Sequence, residues 1–153
     1  MLKLYLDTSV WGFLIERQQI EKKKITEDFF KQSKQQGWRI FISPLVLDEV
    51  NRFRDLELKN NIERFIKDYT PELLPYDEEI GNMTDRLAAF NIIPTDYLDD
   101  IRHLAFAVFY EMDAIVSWNM KHMVNLRTKR AVAGVCSLIG VKEVNVLTPE
   151  EVC

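Results

Sequence analysis

Leu2-Lys3-Leu4-Tyr5-Leu6-Asp7 opens the chain with a short apolar run that halts at an acid. Such a run, bounded by a polar residue, reads as a buried strand. Trp38 to Ile42 has the same character and ends at Ser43-Pro44. Asp113-Ala114-Ile115-Val116-Ser117-Trp118 is a third clear strand, and Val144-Asn145-Val146-Leu147 is the last. Leu73-Leu74 is a marginal short strand before Pro75.

The stretches between these runs carry helical spacing. Ile25, Phe29 and Phe30 lie in a polar segment that closes at Gly37. Pro44 suits a first helical turn with Ser43 as its cap, and Leu45, Val46, Val50 and Phe53 continue that helix. Leu58, Ile62, Phe65 and Ile66 form a further apolar face. Asp77-Glu78-Glu79 places acids in a first turn, where the helix dipole favours them, with Ile80, Met83 and Leu87 inward. Thr95-Asp96 starts a helix with Ile101, Leu104, Ala105 and Val108 inward. Ala131 to Ile139 is helical and stops at Gly140. Thr148-Pro149-Glu150 opens a final turn. Strands separated by helices imply parallel pairing through right-handed crossovers, so the expected fold is α/β with a central, mostly parallel sheet.

The 153 residues fit a single domain spanning 1–153, with 47% hydrophobic and 29% charged residues. The two cysteines, Cys136 and Cys153, are too few for a disulfide framework, which suits a reduced, cytoplasmic setting. Asp7 comes too soon for a signal-peptide core, and no apolar run approaches a membrane span. A net charge of −4 means that any contact with a polynucleotide must come from a local patch.

In parallel sheets, ligands sit beyond the carboxyl ends of the strands. That rule selects Asp7 and Asn119. Glu49 follows the second strand on the next helix, and Asp100 lies near the start of the helix before the third. Each has a bland alternative. Asp7 could cap a helix opening at Thr8-Ser9, and Glu49 or Asp48 could lie on a solvated face. Asp96 and Asp99 suit a cap and a first turn. His103, three residues after Asp100, suits a structural hydrogen-bonding role, and Asn119 a turn. Ser117 and Asn119 point to one side at strand period, so both could offer oxygens there. Clustered carboxylates with no nucleophilic Ser or Cys and no Gly-rich loop suit Mg²⁺ or Mn²⁺, which take hard oxygen ligands and can activate water against a phosphodiester.

The ordered set Leu4-Tyr5-Leu6-Asp7-Thr8-Ser9, Leu45-Val46-Leu47-Asp48-Glu49-Val50, Asp100-Ile101-Arg102-His103-Leu104-Ala105 and Asp113 to Asn119 resembles PIN-domain ribonucleases, of the type found as VapC-like toxins of toxin–antitoxin pairs. The resemblance implies a PIN-like α/β/α sandwich over the whole chain, a divalent-metal site and endonucleolytic RNA cleavage. It also implies an antitoxin partner and a homodimer. Carried over by position, the catalytic and metal-binding acids fall on Asp7, Glu49 and Asp100, and the fourth acid position falls on Asn119. Asn keeps an oxygen but removes one charge, which favours one tight metal ion over two. It also leaves room for a second reading, a catalytically weak PIN-like module that binds RNA or protein. Ser117, Lys121, His122, Arg127, Lys129 and Arg130 are the candidate RNA contacts, and Lys22-Lys23-Lys24 reads as exposed linker.

Competing α/β folds fit less well. A haloacid-dehalogenase-like phosphatase needs a second acid where this chain has Ser9. A response-regulator receiver needs an acidic pair at the end of the first strand, and a dinucleotide fold needs a glycine fingerprint that this chain lacks.

Overall fold

The computed structural model describes residues 1–91 and 93–153. Its five-stranded sheet is wholly parallel and runs in the order β3-β2-β1-β4-β5, with β1 at Lys3–Leu6, β2 at Arg39–Ile42, β3 at Glu72–Leu73, β4 at Ala114–Val116 and β5 at Asn145–Leu147. Leu4, Tyr5 and Leu6 of the central strand and all of β4 are buried. Both faces of an all-parallel sheet are covered, so its inner strands carry continuous apolar runs, Leu4-Tyr5-Leu6 in β1, Ile40-Phe41-Ile42 in β2 and Ala114-Ile115-Val116 in β4, rather than alternating. That is why these short runs were legible in the sequence.

The chain leaves β1 in one direction through β2 to β3, then returns to the other side of β1 for β4 and β5. The order therefore reverses between β1 and β4, and the crevice beyond their carboxyl ends is where such folds hold ligands. Asp7 leaves β1 there, and Ser117 to Asn119 leave β4 there.

Helices α1 (Thr8–Gly12), α2 (Ile20–Gln36), α3 (Pro44–Asn51) and α4 (Leu56–Tyr69) belong to the first half of the path. Helices α5 (Glu78–Ala88), α6 (Leu98–Phe109) and α7 (Leu126–Ile139) belong to the return. The first group packs within itself, as does the second, and the short α8 (Pro149–Val152) packs on α2. The sheet is thus flanked by helices as an α/β/α sandwich. Gly37 and Gly140 close α2 and α7 at φ of 69° and 73°, a left-handed conformation that costs glycine no Cβ clash.

Some local expectations differ from the structure. Ser43 stands at the cap position of α3, but its hydroxyl makes no cap bond and goes to Tyr5 instead. The Val46 N–H is already taken by the Ser43 carbonyl at 3.1 Å, and Pro44 has no N–H to offer. Asp96 lies in a 3-10 turn at Thr95–Tyr97 and does not cap α6. Helix α7 starts at Leu126, before Ala131, because the Asn125 side chain accepts from Thr128 N–H. Lys22 to Lys24 are not linker but part of α2, where the Lys22 ammonium sits 5.3 Å from the Trp118 ring centre.

On α4 the core covers Ile62 and Ile66, with Leu58 packed against it, and Phe65 is 37% exposed. Most of that apolar face is therefore spent on the chain's own core. Among the described residues, no helix is long and apolar enough to cross a membrane.

Candidate functional site

Asp7 fills both of the roles open to it. It is the cap of α1, accepting from Ser9 N–H at 3.1 Å, and it is held at the sheet edge with 4% exposure. Two serines bring it hydrogen bonds from the chain leaving β4. The Trp118 N–H donates to Ser9 Oγ, which donates to Asp7 Oδ1; the Asn119 N–H donates to Ser117 Oγ, which donates to Asp7 Oδ2. Both hydroxyl-to-carboxylate distances are 2.5 Å. The exit of β4 is thereby tied to the exit of β1 through one carboxylate.

Glu49 reaches the same edge from α3. Its Oε1 accepts from Thr8 Oγ1 at 2.8 Å and from His103 Nε2. Asp48, its competitor, is exposed. His103 is buried on α6, and its Nδ1 lies 2.7 Å from the Tyr5 hydroxyl, which is also 2.7 Å from Ser43 Oγ. All three groups are out of water, so each needs its partner. Tyr5→Phe leaves the Ser43 hydroxyl and one imidazole nitrogen with one partner fewer. A loss of about 1–3 kcal/mol in unfolding free energy is expected. An unchanged urea midpoint in the variant would show that this network contributes nothing to stability.

Asp100 stands in the first turn of α6. Its Oδ2 accepts from Asn119 Nδ2 and from His122 Nδ1, each at 3.2 Å. Its neighbour Asp99 is instead occupied on the surface by Arg52 at 3.3 Å and Arg102 at 2.9 Å. Asn119 has a fixed orientation. Its Oδ1 accepts from His122 N–H at 3.0 Å, and a backbone N–H can only donate, so the amide nitrogen must face Asp100. The His122 ring also packs on Tyr97, with centres 4.2 Å apart.

Burial pushes the carboxyls of Asp7 and Asp100 above the usual range. The positive charge of His103 opposes this at both sites, as do the serine hydroxyls at Asp7 and His122 at Asp100. Burial also acts upward on Glu49, but the hydrogen bond and charge of His103, with the Thr8 hydroxyl, outweigh it and hold Glu49 low. His103 responds in the opposite sense: burial disfavours its charge, but Glu49, Asp7 and Asp100 together raise its pKa.

The structure thus brings Asp7, Glu49, Asp100 and Asn119 to one edge, with His122 on Asp100. Ser117 is fully buried and its hydroxyl is committed to Asp7. Lys121, Arg127 and Arg130 are exposed, and Lys129 lies 3.5 Å from Glu151. Sequence reasoning did not single out Thr8 and Ser9 as carboxylate donors, nor Tyr5 and Ser43 behind His103. The one signal for the first pair was two hydroxyl residues directly after a strand-ending Asp.

Among the described residues, no three His, Cys, Asp or Glu side chains stand together as a metal cage. The donor chemistry nevertheless suits a hard divalent cation, since the edge offers carboxylate oxygens and no thiol. Two of these carboxylates are held above the usual range, a cost that a bound cation would relieve.

No family model matches the sequence, and no curated protein matches it. Among solved structures the fold is similar to a chain in the crystal structure of VapBC2 from Rickettsia felis bound to a DNA fragment from their promoter. The TM-score is 0.59 at 15% identity, covering 96% of this chain and 98% of that one. At that identity the likeness concerns the fold, and it extends over nearly the whole of both chains.

Proposed function

We propose that this chain is a divalent-metal-dependent endoribonuclease, the toxin of a toxin–antitoxin pair, using Mg²⁺ or Mn²⁺. The observation that supports the reading is that three acids from distant parts of the chain lie within electrostatic reach of one buried imidazole, His103. Asp7 comes from the exit of β1, Glu49 from α3 and Asp100 from α6. Hydrogen bonds through Thr8, Ser117 and Asn119 fix these acids to their neighbours, and Glu49 also accepts from His103. The similarity of fold to a chain of VapBC2 supports the toxin–antitoxin assignment.

Asp7, Glu49 and Asp100 would hold the metal, while Asn119, placed there by its sequence position, has its nitrogen on Asp100 and its oxygen on His122 N–H and would support Asp100. A bound cation would supply charge for a phosphoryl oxygen and for an attacking water. The protein's part is to fix the carboxylates in direction. The hydroxyls of Thr8, Ser9 and Ser117 do this by donating to them. Lys121, Arg127 and Arg130 are exposed and suited to backbone phosphates, with Lys129 the remaining candidate at that side, whereas Ser117 and His122 are buried and engaged by Asp7 and Asp100. Phosphate contacts of this kind make binding weaken steeply with salt. An antitoxin protein and a second copy of the chain are the proposed protein partners, and a reduced cytoplasmic setting suits the free thiols of Cys136 and Cys153.

The test is cleavage of a mixed RNA substrate with Mg²⁺ or Mn²⁺, repeated with chelator and with Asp7→Asn. Cleavage that survives both controls would rule out the metal-dependent reading. One observation favours a second reading, a PIN-like module that binds RNA or protein with weak catalysis. Asn119 brings an amide, not a fourth carboxylate, and its oxygen is engaged by His122 N–H. RNA binding without cleavage at saturating metal would select that reading.

A further inference from the structure

Glu49 and Asp100 share a pattern that the assignment of ligands does not require. Each carboxylate receives two donors on one oxygen, and one of the two is an imidazole. On Glu49, Oε1 takes Thr8 Oγ1 and His103 Nε2; on Asp100, Oδ2 takes Asn119 Nδ2 and His122 Nδ1. The other oxygens, Glu49 Oε2 and Asp100 Oδ1, have no hydrogen-bond partner among the described residues. They are not buried orphans, since the one buried side-chain atom lacking a partner among the described residues is the Trp11 indole nitrogen. The Glu49 and Asp100 side chains are 24% and 20% exposed. The chain has only two histidines, and both are used in this way.

We infer that His103 and His122 are positioning residues, each turning one carboxylate so that its second oxygen faces the cation site. A carboxylate left to itself rotates and offers either oxygen. Two donors on one oxygen remove that freedom and leave the other with a single direction. The imidazoles are themselves held. His103 is braced by the Tyr5 hydroxyl through Nδ1, and His122 by its ring contact with Tyr97 and its backbone bond to Asn119. Such supporting hydrogen bonds fix ligand direction, and losing one typically costs about 10–100-fold in metal affinity. The inference rests on the proposed function for the identity of the ion, while the pattern of donors stands on the geometry.

The experiment is Mn²⁺ titration by calorimetry on the folded, RNA-free protein, with thermal unfolding run alongside. His122→Phe keeps a ring against Tyr97 and removes the donor; it should weaken Mn²⁺ by about 10–100-fold. In the double variant with Asp100→Asn the further loss should disappear, because His122 acts through that carboxylate. His103→Gln keeps an amide donor for Glu49 and should bind Mn²⁺ more tightly than His103→Leu. If His103→Leu fails to fold, the His122 cycle carries the test. Equal Mn²⁺ affinity in wild type and His122→Phe overturns the inference, as does full additivity with Asp100→Asn. Wild type that binds no Mn²⁺ overturns it together with the nuclease reading. Wild type that binds Mn²⁺ with the expected losses, but cleaves no RNA, upholds the inference and removes only the nuclease reading.

Discussion

Asp7→Asn is expected to abolish RNA cleavage while leaving the protein folded and, at neutral pH without metal, more stable than wild type. The substitution is isosteric. An Asn oxygen can still accept from Ser9 N–H and Ser9 Oγ, and the Ser117 hydroxyl can rotate to accept from the new amide. What disappears is a negative charge at the centre of the site. A metal's stabilisation of the transition state is worth several kcal/mol, and each 1.4 kcal/mol or so is tenfold, so a fall on the order of 10³-fold is expected.

The stability gain follows from the burial of Asp7, which is opposed by the charge of His103 and by the serine hydroxyls without being cancelled. A carboxyl whose folded pKa lies above its ordinary value of 3.8 binds its proton more tightly in the native state. Ionising it therefore costs stability as pH rises through the window between the ordinary and the raised value, and the cost is complete above that window. Asn has no such cost. In chelator, the melting temperature of Asp7→Asn should exceed that of wild type at pH 7. The difference should shrink towards zero below the ordinary value of 3.8. Calorimetric melting at both pH values and a gel-based cleavage assay check the pair of effects. Retained cleavage would remove Asp7 from the reaction, and a lower melting point at pH 7 would contradict the burial argument.

Asn119→Asp is expected to tighten metal binding by tenfold or more, hold or raise cleavage, and lower the stability of the metal-free protein. Asp keeps an acceptor for His122 N–H but loses the Nδ2 donor to Asp100, placing two carboxylates against each other. Losing a hydrogen bond to a charged group costs about 1.5–3 kcal/mol, and the like charge adds to that in the absence of metal. A divalent ion reverses the sign of the added charge's contribution. At short range a unit pair is worth about 4 kcal/mol at an effective dielectric near 20, so even a third of that is about tenfold in affinity. Wild type, with three carboxylates, should show one tight ion, with a second joining when substrate phosphate is present. Calorimetry showing two equally tight ions in RNA-free wild type would sink the charge argument. Tighter metal with lost cleavage in Asn119→Asp would instead assign the amide donor a role that an added charge cannot replace.

How much of this was readable before the fold was known varies by element. The strands were readable because a sheet covered on both faces needs uninterrupted apolar runs, as in Leu4-Tyr5-Leu6 and Ala114-Ile115-Val116. Gly37 and Gly140 marked their helix ends because left-handed backbone favours glycine. The start of α7 was less readable, since Leu126 to Arg130 carry no apolar stripe and the helix depends there on the Asn125 cap. Ser43 and Asp96 were misread as side-chain caps because composition and position suggest a cap without showing which partner competes for the side chain.

The sequence by itself determined the alternation of strand and helix, and with it the sheet edge at which Asp7 follows β1 and Asn119 follows β4. Chain order and handedness leave few ways to arrange such elements. Only the tertiary structure decided what each polar side chain does at that edge. Tyr5 and His103 are 98 residues apart, and Ser117 and Asp7 are 110 apart. No local pattern encodes such pairs, because a donor chooses its acceptor by distance and angle after the backbone has packed. That is why Asp7 proved to be both cap and candidate ligand, why the Asn119 amide turns its nitrogen to Asp100, and why both histidines hold carboxylates.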